Sequence, residues 1–206
     1  MLDAMNEAET IGLPWNVEGN SSKHLAKEPN QRTQLSWQVI GALRLLLLTG
    51  ARLSEITLLK WSDVDFGLLT IALPKFKGKK REPFPATTAA LDILKSLPRI
   101  TGSAFVFPRD SDKTVPISKE VMESAWQRLR WRSQIEDVHI HDLRNTVGTY
   151  AAQAGVSGFI VRDLLRHANI STTGRYANFD ASPVREVADI VGERIMRAGT
   201  TSRTTT

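Results

Sequence analysis

The chain has 206 residues, 41% hydrophobic and 24% charged, which is enough apolar material for one large domain or a domain with a short arm. The absence of cysteine excludes disulfides, thiolate metal sites and a cysteine nucleophile, and suits a reducing cytoplasm. A net charge of +5 favours a polyanionic partner, while no run approaches the roughly 18 apolar residues of a membrane span and no signal peptide opens the chain.

Residues 1–34 are polar, with Pro14 and Pro29 as breakers and Gly19, Asn20, Ser21 and Ser22 between them. They are expected to be a linker or remnant, with a short helix at 3–10. Ser36 is placed to cap a helix through about residue 48, with Val39, Ile40, Leu43, Leu46 and Leu47 on one face and Gly50 as its stop. A short helix over 52–59 follows, turning Ile56 and Leu59 inward. Residues 64–66, 68–73 and 81–84 read as three strands of a small antiparallel sheet, with a basic turn at 75–80. Thr87 or Thr88 caps a helix to about Ser96, stopped by Pro98. Residues 100–116 form a loop with one apolar run, 104–107.

Ser118 then caps a helix with Val121, Met122, Ala125, Trp126 and Leu129 on its apolar side. Asp142 begins another, closed by Gly155, and Ser157 opens a third to about His167. One or two helical turns are expected over 171–177 and a last helix over 182–198, with residues 199–206 as a disordered tail. The fold class is therefore mainly α with a small three-stranded antiparallel sheet (α+β).

Four segments set unusual polar residues beside strongly apolar helices. In the first, Thr49-Gly50-Ala51-Arg52, the arginine opens a helix directly after a glycine stop, and Glu55 shares its face at i+3. The pair is either an oriented guanidinium in a cleft or a surface ion pair. The second is the turn Lys75, Lys77, Lys79, Lys80 and Arg81: five cations on a β-turn, suited to phosphates or simply solvated. In the third, His139 and His141 fall short of a zinc ligand set, whereas His141 and Arg144, at i and i+3, can present together to an anion. The fourth, HANISTTGRY, sets His167 nine positions before Tyr176, one of only two tyrosines. Alone, Tyr176 reads as a half-exposed turn aromatic.

TGARLSEITLLKWSDVDF, a lysine-bearing hairpin, HDLR and LLRHANISTTGRY, in that order over roughly residues 36–198, make the chain resemble the tyrosine recombinases of the phage integrase family. The resemblance implies that family's catalytic-domain fold over 35–198 and site-specific cleavage and rejoining of double-stranded DNA. By position, Arg52 and Arg144 would clamp the scissile phosphate, and His167 would add a hydrogen bond. His141 would take the proton of the nucleophile. Tyr176 would attack phosphorus to form a 3′-phosphotyrosyl link, and Lys77, eight positions before Pro85, would protonate the leaving oxygen. Glu55 matches the acidic position that buttresses the first arginine. The resemblance implies no metal, no other cofactor and no ATP.

Two departures stand out. Arg166 occupies the place where the family usually has glycine, so its side chain would crowd the helix end or add a phosphate contact. Only about 35 residues precede the catalytic domain, too few for the family's N-terminal helical domain, so an expressed fragment or a truncated gene is expected; a complete chain would hold DNA with half a clamp and bind weakly. The helix at 182–198, with Val184, Val187, Ala188, Ile190 and Val191 as its stripe, would pack on a neighbouring protomer, as in relatives, giving a homo-oligomer on DNA, or pack in cis. The competing functions are a non-catalytic DNA-binding remnant and a type IB topoisomerase-like activity.

Overall fold

The computed structural model describes residues 1–15, 31–74 and 81–167. The chain divides into two compact units, Met1–Val147 and one that begins at Gly148.

The first unit is built around α2, Trp37–Thr49, which buries Val39, Ile40, Ala42, Leu43, Leu45 and Leu46 and even Gln38. A helix apolar on most of its circumference belongs in the middle of a core. Gly41 serves this burial: a Cβ there would stand 3.0 Å from the ring of Phe107 and 3.1 Å from Leu97. The phenylalanine comes from the apolar run within 100–116, where Val106 and Phe107 are fully buried. Val106 N–H donates to Leu59 O at 2.9 Å, and Ile117 N–H donates to Phe107 O at 2.8 Å. This loop is therefore stitched through the core.

The N-terminal stretch is also part of this unit. Helix α1, Leu2–Thr10, buries Ala4, Met5 and Ala8 in the shared core. Strand β1, Leu13–Pro14, pairs antiparallel with β2, Arg32–Thr33. Between α1 and β1, Gly12 has φ of 82°, and a Cβ would fall 2.8 Å from the Gln34 nitrogen, so only glycine fits. The stretch read as linker is thus anchored at both of its described ends. Glu7 strengthens the anchorage by accepting from Arg32 and, at 2.8 Å, from Arg132.

After α2 come α3, Leu53–Thr57, shorter than the 52–59 expected, and a 3-10 turn, Trp61–Asp63. Ile56 and Leu59 are buried as their spacing implied. The predicted sheet is present: β3 (Val64–Asp65), β4 (Thr70–Pro74) and β5 (Arg81–Pro85) form an antiparallel order β3-β4-β5. Ile71 and Leu73, two apart on β4, are both buried, as the period of a half-buried strand requires. Pro83 and Pro85 lie on the edge strand, where a missing N–H is tolerated.

Helix α4, Thr88–Ser96, is capped by Thr87, whose hydroxyl accepts from Ala90 N–H at 3.2 Å. Ser118 caps α5, Lys119–Arg132, in the same way. Met122, Ala125, Trp126 and Leu129 bury its inner face, but Val121 is 45% exposed. The other four complete an i, i+3, i+4, i+7 stripe, and Val121 falls one step outside it.

Helix α6, Asp142–Gln153, and α7, Gly158–Leu164, follow. The second stops short of His167 because Arg166 adopts a left-handed φ of 52°. The helices expected at 171–177 and 182–198, the 199–206 tail and the 75–80 turn lie outside the described residues. No described helix is long and apolar enough to cross a membrane.

Candidate active site

The site is rooted in the end of α2. Thr49, 2% exposed, donates its hydroxyl proton to Leu45 O at 2.6 Å and accepts from Ala51 N–H at 3.2 Å. Gly50 takes left-handed angles, φ 57° and ψ 22°, and its N–H closes the helix onto Leu46 O. That is the αL stop for which glycine is preferred. The chain leaves extended and re-enters a helix at once, with Arg52 as the residue before α3.

Glu55 holds this junction. One carboxylate oxygen accepts from Arg52 N–H at 2.8 Å, and the other accepts from the Arg52 guanidinium at 2.6 Å. Glu55 is 5% exposed while the Arg52 side chain is 33% exposed, so a buried carboxylate steers a cation that still reaches solvent. Of the two readings open for this pair, the oriented guanidinium is the one observed. An exposed i,i+3 pair would contribute little, whereas this one also ties down a helix start.

Arg144, on the first turn of α6, reaches the same junction across 94 positions of sequence. It is 3% exposed, and its Nη1 donates to Gly50 O at 2.5 Å. The first and third segments therefore meet at one turn that gathers two guanidiniums. His141 stands exposed just before α6, its carbonyl accepting from Arg144 N–H at 3.1 Å. Asp142 pins that turn by accepting from His139 N–H at 2.8 Å and from the Asn145 amide at 2.9 Å. His139 points outward, 76% exposed, and among the described residues no three His, Asp or Glu side chains are grouped to hold a metal ion.

His167 belongs to the second unit. Arg166 N–H donates to Asp163 O at 3.1 Å and His167 N–H to Arg162 O at 2.9 Å. These two bonds make a complete Schellman motif with Arg166 in the left-handed position. The departure from glycine thus gains a physical meaning: this is the backbone position where a side chain costs most. The guanidinium turns back on its own helix, Nη1 donating to Leu164 O at 3.1 Å, and the residue is buried.

Lys77 and Tyr176 lie outside the described residues, as does most of the basic turn. Its fifth cation, Arg81, is committed to the sheet, donating to Asp63 at 2.7 Å and to Ala72 O at 3.2 Å. Sequence reading identified Arg52, Glu55, His141 and Arg144 but gave Thr49 only a turn. The available signal was a hydroxyl residue directly before the helix-ending glycine, where it can bond backward to i−4 and forward to i+2.

The chain matches the phage integrase family over residues 17–182. It is similar to the tyrosine recombinase XerC of Xanthomonas axonopodis pv. citri (strain 306), 27% identical over 191 residues, covering 90% of this chain and 61% of the relative. It also resembles the prophage integrase IntF of Escherichia coli (strain K12), 33% identical over 129 residues, 61% of this chain and 27% of that one. Among solved structures, XerA recombinase shares the fold with a TM-score of 0.59 at 24% identity, covering 73% of this chain and 55% of that one. The Tn1549 transposon integrase, solved in complex with transposon right end DNA, gives 0.61 at 18%, covering 77% and 60%. The chain spans about three fifths of the length of the XerC relatives it matches. With that match across most of its length and the fold it shares with solved recombinases, the chain belongs to the phage integrase family.

Proposed function

We propose that residues 35–198 are the catalytic domain of a tyrosine-type site-specific DNA recombinase that cleaves and rejoins double-stranded DNA through a 3′-phosphotyrosyl intermediate. The observation that carries this reading is the Gly50 turn, where Arg52 is oriented by Glu55 and Arg144 is held by a backbone carbonyl. Two planar cations so fixed suit the non-bridging oxygens of one phosphodiester, whose charge grows in the transition state.

In this mechanism Arg52 and Arg144 clamp those oxygens, and His167 donates to the same phosphoryl group. His141 takes the phenolic proton as Tyr176 attacks phosphorus. The P–O5′ bond breaks as the Tyr–P bond forms, and Lys77 delivers a proton to the departing 5′ oxygen. The phosphodiester energy is kept in the tyrosyl link, so a new 5′-hydroxyl can reverse the step without ATP. Arg52, Arg144, His167 and Lys77 supply the positive charge, and the chemistry asks for no cofactor. The partners are DNA and further copies of the chain assembled on it through the segment 182–198, in a cytoplasmic setting.

A nicked suicide duplex tests the reading, its site selected by covalent capture from a randomised library. The wild-type chain should form a protein–DNA adduct stable to denaturant, and Tyr176→Phe should form none. An adduct that persists in Tyr176→Phe removes the nucleophile assignment. A chain that shifts DNA in a gel and never crosslinks is a binding remnant. Relaxation of supercoils by the monomer, without paired sites, would point to topoisomerase-like activity.

A further inference from the structure

The Gly50–Ala51 peptide is held at both ends by side chains, and one of them has no part in the chemistry above. In a planar trans peptide the carbonyl and the amide point in opposite directions. Here the amide end, Ala51 N–H, donates to Thr49 Oγ1 at 3.2 Å, and the carbonyl end accepts from Arg144 Nη1 at 2.5 Å. The Thr49 hydroxyl proton is itself committed to Leu45 O at 2.6 Å, which leaves its lone pairs facing Ala51. Thr49 and Arg144 are 2% and 3% exposed, so water scarcely competes for these bonds.

We infer that Thr49 is a positioning residue for Arg144, setting the tilt of the Gly50–Ala51 peptide and through it the aim of the guanidinium. The turn stands on its own geometry, and only the catalytic consequence rests on the recombinase reading. Without the hydroxyl the peptide can rotate about its flanking bonds, glycine being the residue that least resists. The carbonyl then swings away from Arg144. A displacement on the order of 1 Å in a positioned catalytic group can lower a rate by up to about 100-fold.

The test uses the full chain with Thr49→Val, which keeps the shape and removes the hydroxyl, and Thr49→Ser, which keeps the hydroxyl. Thr49→Ala, which cannot overpack the site, replaces the valine variant if that one fails to fold. The first readout is the guanidinium NMR signals of Arg144, assigned with Arg144→Lys. The second is single-turnover adduct formation on the nicked duplex. Thr49→Val should shift or broaden the Arg144 signals and slow adduct formation by about 10- to 100-fold, with DNA affinity changed by less than about twofold because the ground-state contacts persist. Thr49→Ser should restore both. Unchanged Arg144 signals and rate in Thr49→Val, or a serine variant as impaired as the valine, overturns the inference. If the wild-type chain itself forms no adduct, the recombinase reading fails and the Arg144 signals still decide the role of Thr49.

Discussion

Gly50 and Arg166 occupy the same backbone region, φ 57° and 52°, each just past the end of a helix, yet one is the residue that region favours and the other is not. Gly50→Ala should lower stability by about 1–2 kcal/mol in urea unfolding, the cost of a Cβ in left-handed backbone. At Arg166 the comparison runs the other way. Arg166→Gly relieves the strain while losing the bond to Leu164 O, two effects of about 1 kcal/mol each. Arg166→Ala keeps the strain and loses the bond, so it should be less stable than the glycine variant by about 1 kcal/mol. Equal stabilities would mean that the Schellman turn does not set the balance at this position. At this scale spacing anticipated the Arg52–Glu55 pair and the placement of His141 and Arg144 at one helix start. The sequence was less legible where a conformation matters: the left-handed angle of Arg166 has no one-residue signature, and the forward bond from Thr49 is signalled only by a hydroxyl beside the helix-ending glycine.

Among the elements, the short helix expected at 3–10 is present as α1, but its place in the core and the β1–β2 pair that follows were not legible. Its buried face is Ala4, Met5 and Ala8, two of them residues that sit as readily on a surface helix. Glu7 adds polar anchorage to this apolar contact, accepting from Arg32 and Arg132. Burial pushes the Glu7 carboxyl upward, but hydrogen bonds from Arg132 and Arg32 outweigh it, and the group lies below its ordinary value. A depressed carboxylate contributes stability that is fully present above the unfolded glutamate value of about 4.3 and is lost as pH falls through the lower folded value. Wild-type stability should therefore decline below about pH 4.3 with a component absent from Glu7→Gln, which should lose about 1–2 kcal/mol at neutral pH. Urea melts at stepped pH would show both. Identical acid slopes in the two proteins would remove Glu7 from the account. The three-stranded sheet β3-β4-β5 and the capped helices were legible because turn and cap residues announce them. Val121 was misplaced because an apolar residue at the margin of a stripe has the composition of the core and the geometry of the surface.

For the whole molecule, the proposed DNA contact can be tested by salt, because the slope of affinity against salt follows the number of phosphates the chain neutralises. Arg81 is engaged with Asp63, so the phosphate contacts from the basic turn should come from its lysines. Replacing Lys75, Lys79 and Lys80 with Gln while keeping Lys77 should reduce the magnitude of the log affinity–log salt slope by about 2–3. Single-turnover adduct formation at saturating DNA should stay near wild type. An unchanged slope would show that those lysines are solvated in the complex. No local reading could place Arg144 on the Gly50 carbonyl, because the bond spans 94 positions and exists only after α2 and α6 have come together.

On the proposed recombinase reading, that separation has a consequence for when the chain could cut. Of the two arginines in the proposed clamp, Arg52 is oriented locally by Glu55, whereas Arg144, made late in synthesis, is aimed only once its buried bond to the Gly50 carbonyl has formed. Closing a loop of that length is slow compared with forming a helix. A nascent or partly unfolded chain would then carry Arg52 without an oriented Arg144, attracted to DNA by charge yet unable to break it. The oriented Arg144 guanidinium signals should be lost at the same urea concentration at which the first unit unfolds, never well before it. On that reading, folding would act as the safety catch on DNA cleavage.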